Sequence, residues 1–110
     1  MTDARAPPAP LGAAATDGDV LVRNHDHTAG HTLAVRVYGP TGDVRFESRF
    51  RLAPGAAAAR PADLASGAYT VEADSDRERY VVRTCRLDDD GGLLVAVGNG
   101  VVDVAARPVP

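Results

Sequence analysis

The chain is predicted to fold as an all-β sandwich, and three observations predict it. Short runs alternate apolar and polar residues with period two, turn signals separate the runs, and no stretch repeats with helical spacing. A length of 110 residues supports one hydrophobic core. Apolar residues make up 45% of the chain but aromatics only 5%, so the core must be built from Val, Leu and Ala. Branched side chains of this kind suit a pleated surface.

Taken in order, Asp19-Val20-Leu21-Val22-Arg23 opens the series of strands. Thr32 to Tyr38 follows, with Leu33, Val35 and Val37 on one face, before Gly39-Pro40-Thr41-Gly42 breaks the chain. From Asp43 to Leu52, Val44, Phe46, Phe50 and Leu52 alternate with Arg45, Glu47, Arg49 and Arg51. One face of that strand should be apolar and the other charged, with Ser48 alone interrupting the inward set.

After the Ala53-Pro54-Gly55 turn, the run from Ala56 to Arg60 is either an edge strand or a loop. Gly67 to Ala73 and Glu78 to Leu87 read as a hairpin joined by polar residues. Leu93 to Val97 and Val101 to Ala105 flank Gly98-Asn99-Gly100, whose Asn-Gly step suits the positive φ angles of a tight turn. The count is seven or eight antiparallel strands. Residues 1–17, with three prolines and no periodicity, are expected to be a flexible arm. The sandwich should then span 18–106, with 107–110 as a loose tail.

Composition excludes several functions. A net charge of −3 and a pI near 5.5 lack the basic field that nucleic-acid binding needs. No apolar run reaches membrane-spanning length and the first residues lack a signal-peptide core, so the expectation is a cytoplasmic protein without membrane contact. Cys85 is the one cysteine, so no disulfide forms within the chain.

Four clusters carry candidate chemistry. His25, His27 and His31 are all the histidines; in an extended segment the first two lie ~7 Å apart on one face. With Asp26 nearby they could hold Zn or Cu, although a polar loop between strands accounts for them without metal. Arg45, Arg49 and Arg51 form an outward row, partly neutralised by Glu47, that suits bidentate contact with an acidic partner or a phosphate, although solvated sheet faces often carry such rows without binding anything. Cys85 has Arg83 and Arg86 close by, which could activate a thiol, but a buried small hydrophobe is the commoner role. Asp74-Ser75-Asp76-Arg77-Glu78 begins like a calcium loop and then fails, with Arg79 at the glycine position and Cys85 where the bidentate Glu belongs. Asp88-Asp89-Asp90-Gly91-Gly92 could bind a cation weakly, although an acidic turn held in solvent accounts for it as well. No phosphate-binding loop, nucleophile elbow or paired catalytic carboxylates are present, so the chain is not expected to be an enzyme.

Two stretches resemble the small immunoglobulin-like domains common in proteins of halophilic archaea. They are Val22-Arg23-Asn24-x-Asp26 leading to His31-Thr32-Leu33-x-Val35-x-Val37, and Leu64-x-x-Gly67-x-Tyr69-Thr70-Val71, with the Leu52-x-Pro54-Gly55 turn between them. The likeness spans Asp19 to Ala105. It implies an immunoglobulin-like, Greek-key β-sandwich, and the absence of Lys beside twelve Asp suits a salt-rich cytoplasm. The Asn24-to-His31 stretch is also similar to the first copper-ligand segment of cupredoxins. However, the Cys-then-His ligand segment is missing around Cys85 and the only Met is Met1. The resulting expectation is a non-catalytic module that binds another protein and carries no cofactor. The alternative is a small metal-handling protein built on His25, His27 and His31.

Overall fold

The computed structural model describes residues 19–76, 80–88 and 91–108. The expected arm at 1–17 and the last two residues of the tail lie outside them. Alternation becomes eight strands: β1 (Val20–Asn24), β2 (His31–Tyr38), β3 (Val44–Leu52), β4 (Ala57–Arg60), β5 (Gly67–Ser75), β6 (Tyr80–Leu87), β7 (Gly91–Gly98) and β8 (Val101–Pro108). They form two four-stranded sheets, β4-β1-β7-β8 and β3-β2-β5-β6. β2 and β5 are neighbours although β3 and β4 separate them in sequence, which is the long return of a Greek key carried across both sheets.

The core fills the space between the sheets. Val20, Val22, Leu93, Val95 and Val97 face Leu33, Val35, Val37, Val71 and Phe50, and all are buried. Phe50 carries the largest of these side chains; Phe46 stacks on it at 6.5 Å and the Arg60 guanidinium lies 5.0 Å over its ring. That cation–π contact ties the short edge strand β4 to the opposite sheet. Alanine has little strand preference, so the Ala57–Arg60 strand owes its form to pairing with β1, Val20 opposite Arg60 through Arg23 opposite Ala57. Tyr69 is buried, and its hydroxyl donates to the Ala65 carbonyl at 2.7 Å beside buried Leu64. This hydroxyl-to-backbone bond has the form of a tyrosine corner and holds the turn into β5 against the core.

Three details differ from the sequence reading. β1 and β7 run parallel, Val20 beside Leu93 through Asn24 beside Val97, so not every pair is antiparallel. β8 continues to Pro108, with Gly92 opposite Arg107 and Gly91 opposite Pro108, so the strand extends past the expected boundary at 106. The β7–β8 turn is the expected one, with Asn99 at φ 56° and Gly100 at φ 81°.

The remaining difference lies in β3. The register between β2 and β3 shifts after Val37: Val37 opposes Phe46, but Tyr38 opposes Val44. Directly opposed residues share a face, and a slip of one residue reverses faces. Val44 therefore sits outside with Tyr38 and is 53% exposed instead of joining the core. In edge strand β6, Tyr80 and Val82 lie on the outer face, at 57% and 48% exposure. Leu33→Ala should consequently lower the unfolding free energy by about 2–5 kcal/mol, whereas Val44→Ala should change it by less than about 0.5 kcal/mol. Urea denaturation of both variants checks the contrast.

Candidate functional site

Two regions gather polar side chains. The first is a buried corner at the end of β1. Asn24 is 1% exposed, and its amide nitrogen donates to the carbonyls of Ala29 at 2.9 Å, Ala53 at 3.1 Å and Leu52 at 3.2 Å. Its side-chain oxygen accepts from the Asp26 backbone N–H at 2.9 Å. Every polar atom of the amide is used, as a buried amide requires.

Asp26 extends the corner. Its Oδ1 accepts from the Asn99 N–H at 3.1 Å and its Oδ2 lies 2.5 Å from His31 Nε2. A carboxylate oxygen accepts, so Nε2 carries the proton. On the other side of the ring, Nδ1 faces Ser75 Oγ at 3.5 Å and Asp76 Oδ1 at 3.7 Å. Gly98 allows the β7 end to close on this corner: at φ +134°, a Cβ there would stand 2.7 Å from the Asp26 nitrogen.

The three histidines do not come together. His31 is 2% exposed and engaged with Asp26, whereas His25 and His27 are exposed on the loop. Among the described residues no group of three His, Cys, Asp or Glu side chains is placed to hold a metal ion. Cys85 is buried, and loss of water around it pushes the thiol pKa up, against the smaller lowering effect of Arg83. A thiol so placed is a poor nucleophile. Asp76 is the last described residue of the calcium-like stretch before residues 77–79, and residues 89 and 90 of the acidic turn also lie outside the description.

The second region is the outer face of the β3-β2-β5-β6 sheet. Its rows follow from register: Arg51 beside Thr32; Arg49, Ala34, Asp74 and Tyr80; Glu47, Arg36, Glu72 and Val82. In the last row, Arg36 donates to Glu47 Oε2 through Nε at 2.9 Å and Nη2 at 2.5 Å, and Nη1 lies 3.6 Å from Glu72. The hydroxyls of Tyr38 and Tyr80 donate to the two oxygens of Glu72 at 3.0 and 2.8 Å. The Tyr80 bond first, then that of Tyr38, holds the Glu72 carboxyl below its ordinary range, and the same bond raises the Tyr80 hydroxyl.

Beside this network lies a shallow depression of about 250 Å³ over Ala34, walled by Arg49 on one side and Asp74 and Tyr80 on the other. A second hollow of about 120 Å³ adjoins it over Thr32 and reaches Asp76. Small side chains on β2 between longer ones on β3 and β5 produce this groove. Of the expected arginine row, Arg49 lines both hollows and Arg51 opposes Thr32 beside them, and neither has an ion pair within 4.0 Å among the described residues. Arg45 is drawn away. It follows the register shift and bonds Asp43, whose carboxyl is held low first by the Thr41 hydroxyl and then by Arg45.

A family model described as the halobacterial Ig-like domain matches residues 29–109. The chain belongs to that family. The expected immunoglobulin-like sandwich is thereby confirmed, and membership points to a non-catalytic module. β1 precedes the matched span, yet it sits between β4 and β7 in the sheet and supplies Asn24 to the corner. No curated protein matches the chain. No helix among the described residues is long and apolar enough to cross a membrane. Sequence reading missed Arg36, Tyr38, Glu47, Glu72, Asp74 and Tyr80 as a group because strand register, not spacing along the chain, brings them together.

Two outcomes follow for the Ig-like domain. Asn24→Ala removes the donor to three carbonyls and should cost on the order of 3 kcal/mol of stability, read from the denaturation midpoint; a loss under about 0.5 kcal/mol contradicts the corner's role. A lowered carboxyl pKa means that the bonds to Glu72 stabilise the fold above the ordinary glutamate range and are lost as pH falls through the lowered value. By carbon NMR, Glu72 should titrate below a free glutamate, and Tyr80→Phe should move it upward; an unmoved titration rules out the Tyr80 hydroxyl as the cause.

Proposed function

We propose that this Ig-like domain binds an acidic protein surface through Arg49 and Arg51 on the outer face of β3. The observation that carries the reading is the difference in pairing among the arginines of that face. Arg36 is engaged by Glu47 and Arg45 by Asp43, while Arg49 and Arg51 project from an edge strand with no ionic partner among the described residues. Unpaired guanidinium groups two residues apart on one face present parallel forks of donors, the geometry that suits carboxylates. Ala34 and Thr32 leave room beside them for a partner's side chains. Family membership supports a non-catalytic module.

Purification from native cells with Arg49→Ser and Arg51→Ser combined should lose partners that the unaltered domain retains, and Arg45→Ser should keep them. Equal recovery with and without Arg49 and Arg51 would falsify this surface.

A further inference from the structure

We infer that the acidic surface met by Arg49 and Arg51 belongs to a second copy of this chain, docked outer face to outer face on the β3-β2-β5-β6 sheet about a two-fold axis along β2. This rests on the reading of Arg49 and Arg51 as a binding strip. The geometry follows from the order of the strands. β2 lies between β3 and β5, so a two-fold axis parallel to β2 and above Ala34 sets β3 of one copy over β5 of the other. Arg49 and Asp74 occupy the same row on either side of Ala34. The axis therefore places each copy's Arg49 opposite the other's Asp74, and the contact occurs twice.

Four features of the face favour this arrangement. Asp74, like Arg49, is exposed and has no ion pair within 4.0 Å among the described residues, so each ridge carries charge that the described residues do not neutralise. One step along, Arg51 stands beside Thr32, and the Asp76 N–H bonds the Thr32 carbonyl, which places Asp76 on the opposite side of β2. The axis residues of these two rows are small, Ala34 over Ala34 and Thr32 over Thr32. Facing sheets pack ~10 Å apart, a gap that an extended arginine and an aspartate bridge together.

Tyr80 stands next to Asp74 in the same row and is 57% exposed, so its ring flanks the incoming guanidinium and adds a cation–π contact. The row beyond, Glu47, Arg36 and Glu72, is already joined internally and marks the end of the contact. Three facing strands by about six residues give a footprint on the order of 300 Å² per copy, against about 800 Å² in a standard interface. The dimer is consequently weak and tuned by salt.

Sedimentation equilibrium from micromolar to millimolar protein should show a concentration-dependent dimer. Arg49→Glu makes both ends of the Ala34 row acidic and Asp74→Arg makes both basic, so each variant alone should associate about tenfold or more weakly than the unaltered chain. An equimolar mixture of the two should recover a heterodimer, because every facing pair is then attractive. Far-ultraviolet circular dichroism confirms that both variants are folded. A chain that stays monomeric at millimolar concentration overturns the inference, as does a dimer indifferent to both substitutions. A monomer that still loses its native partners when Arg49 and Arg51 are replaced overturns the self-pairing alone and leaves the reading of the strip intact.

Discussion

Three segments converge on the polar corner formed by Asn24 and Asp26, and the arrangement of the sandwich depends on that convergence. The loop after β1, the β3–β4 turn and the β7–β8 hairpin all meet at one end of the two sheets. Each carries backbone carbonyls or N–H groups that pairing between strands cannot satisfy. Asn24 takes three of the carbonyls, Asp26 takes the Asn99 N–H, and the Asp26 carbonyl accepts from Gly55 at 2.9 Å. Buried polar groups without partners cost more than the bonds themselves contribute. Failure at this corner would therefore expose the turn between β3 and β4 together with the Gly98 contact. His31 completes the corner from β2, so both sheets are anchored to one short polar chain from Asn24 through Asp26 to His31.

That arrangement gives the His25-to-His31 stretch a structural role. A histidine that starts a strand and is 2% exposed has its ring nitrogens directed at Asp26 on one side and at Ser75 and Asp76 on the other. The similarity to a copper-ligand segment lies in the Asn-to-His spacing, and in this domain that spacing closes a loop. His25 and His27 share the loop but point to solvent. Proximity in sequence had suggested one cluster of three, and burial divides it into one structural residue and two surface residues.

Much of the fold was legible because period-two burial is a local signal: β2, β5, β7 and β8 announce themselves by their branched side chains, and Asn99-Gly100 by its turn chemistry. What stayed hidden depends on partners that local sequence does not name. The parallel seating of β1 against β7 is a choice made by the assembled sheet. The alanine strand β4 has no propensity of its own and takes its form from β1. The reversal of Val44 comes from one extra residue against β2, and alternation within β3 carries no trace of it. The candidate site shares this limit. Arg49 and Arg51 could be placed on an outward face from sequence, but their separation from Arg45, and the positions of Asp74 and Tyr80 two and three strands away, require the register.

The distribution of charge on the outer sheet face follows from that register. Where opposite charges fall on adjacent strands, as Arg36 does with Glu47 and Glu72, they neutralise one another within the domain. Where they fall two strands apart, as Arg49 and Asp74 do across Ala34, strand spacing of ~4.8 Å holds their backbones nearly 10 Å apart. Exposed charges at that distance are largely screened even at moderate salt, and in molar salt the screening length falls to ~3 Å. They contribute to the fold in neither case. A facing surface changes this, because it brings each charge into direct contact with its opposite and excludes the intervening water. The small residues of β2 leave the groove open for such a surface. A basic ridge and an acidic ridge placed symmetrically about that groove make the face complementary to itself.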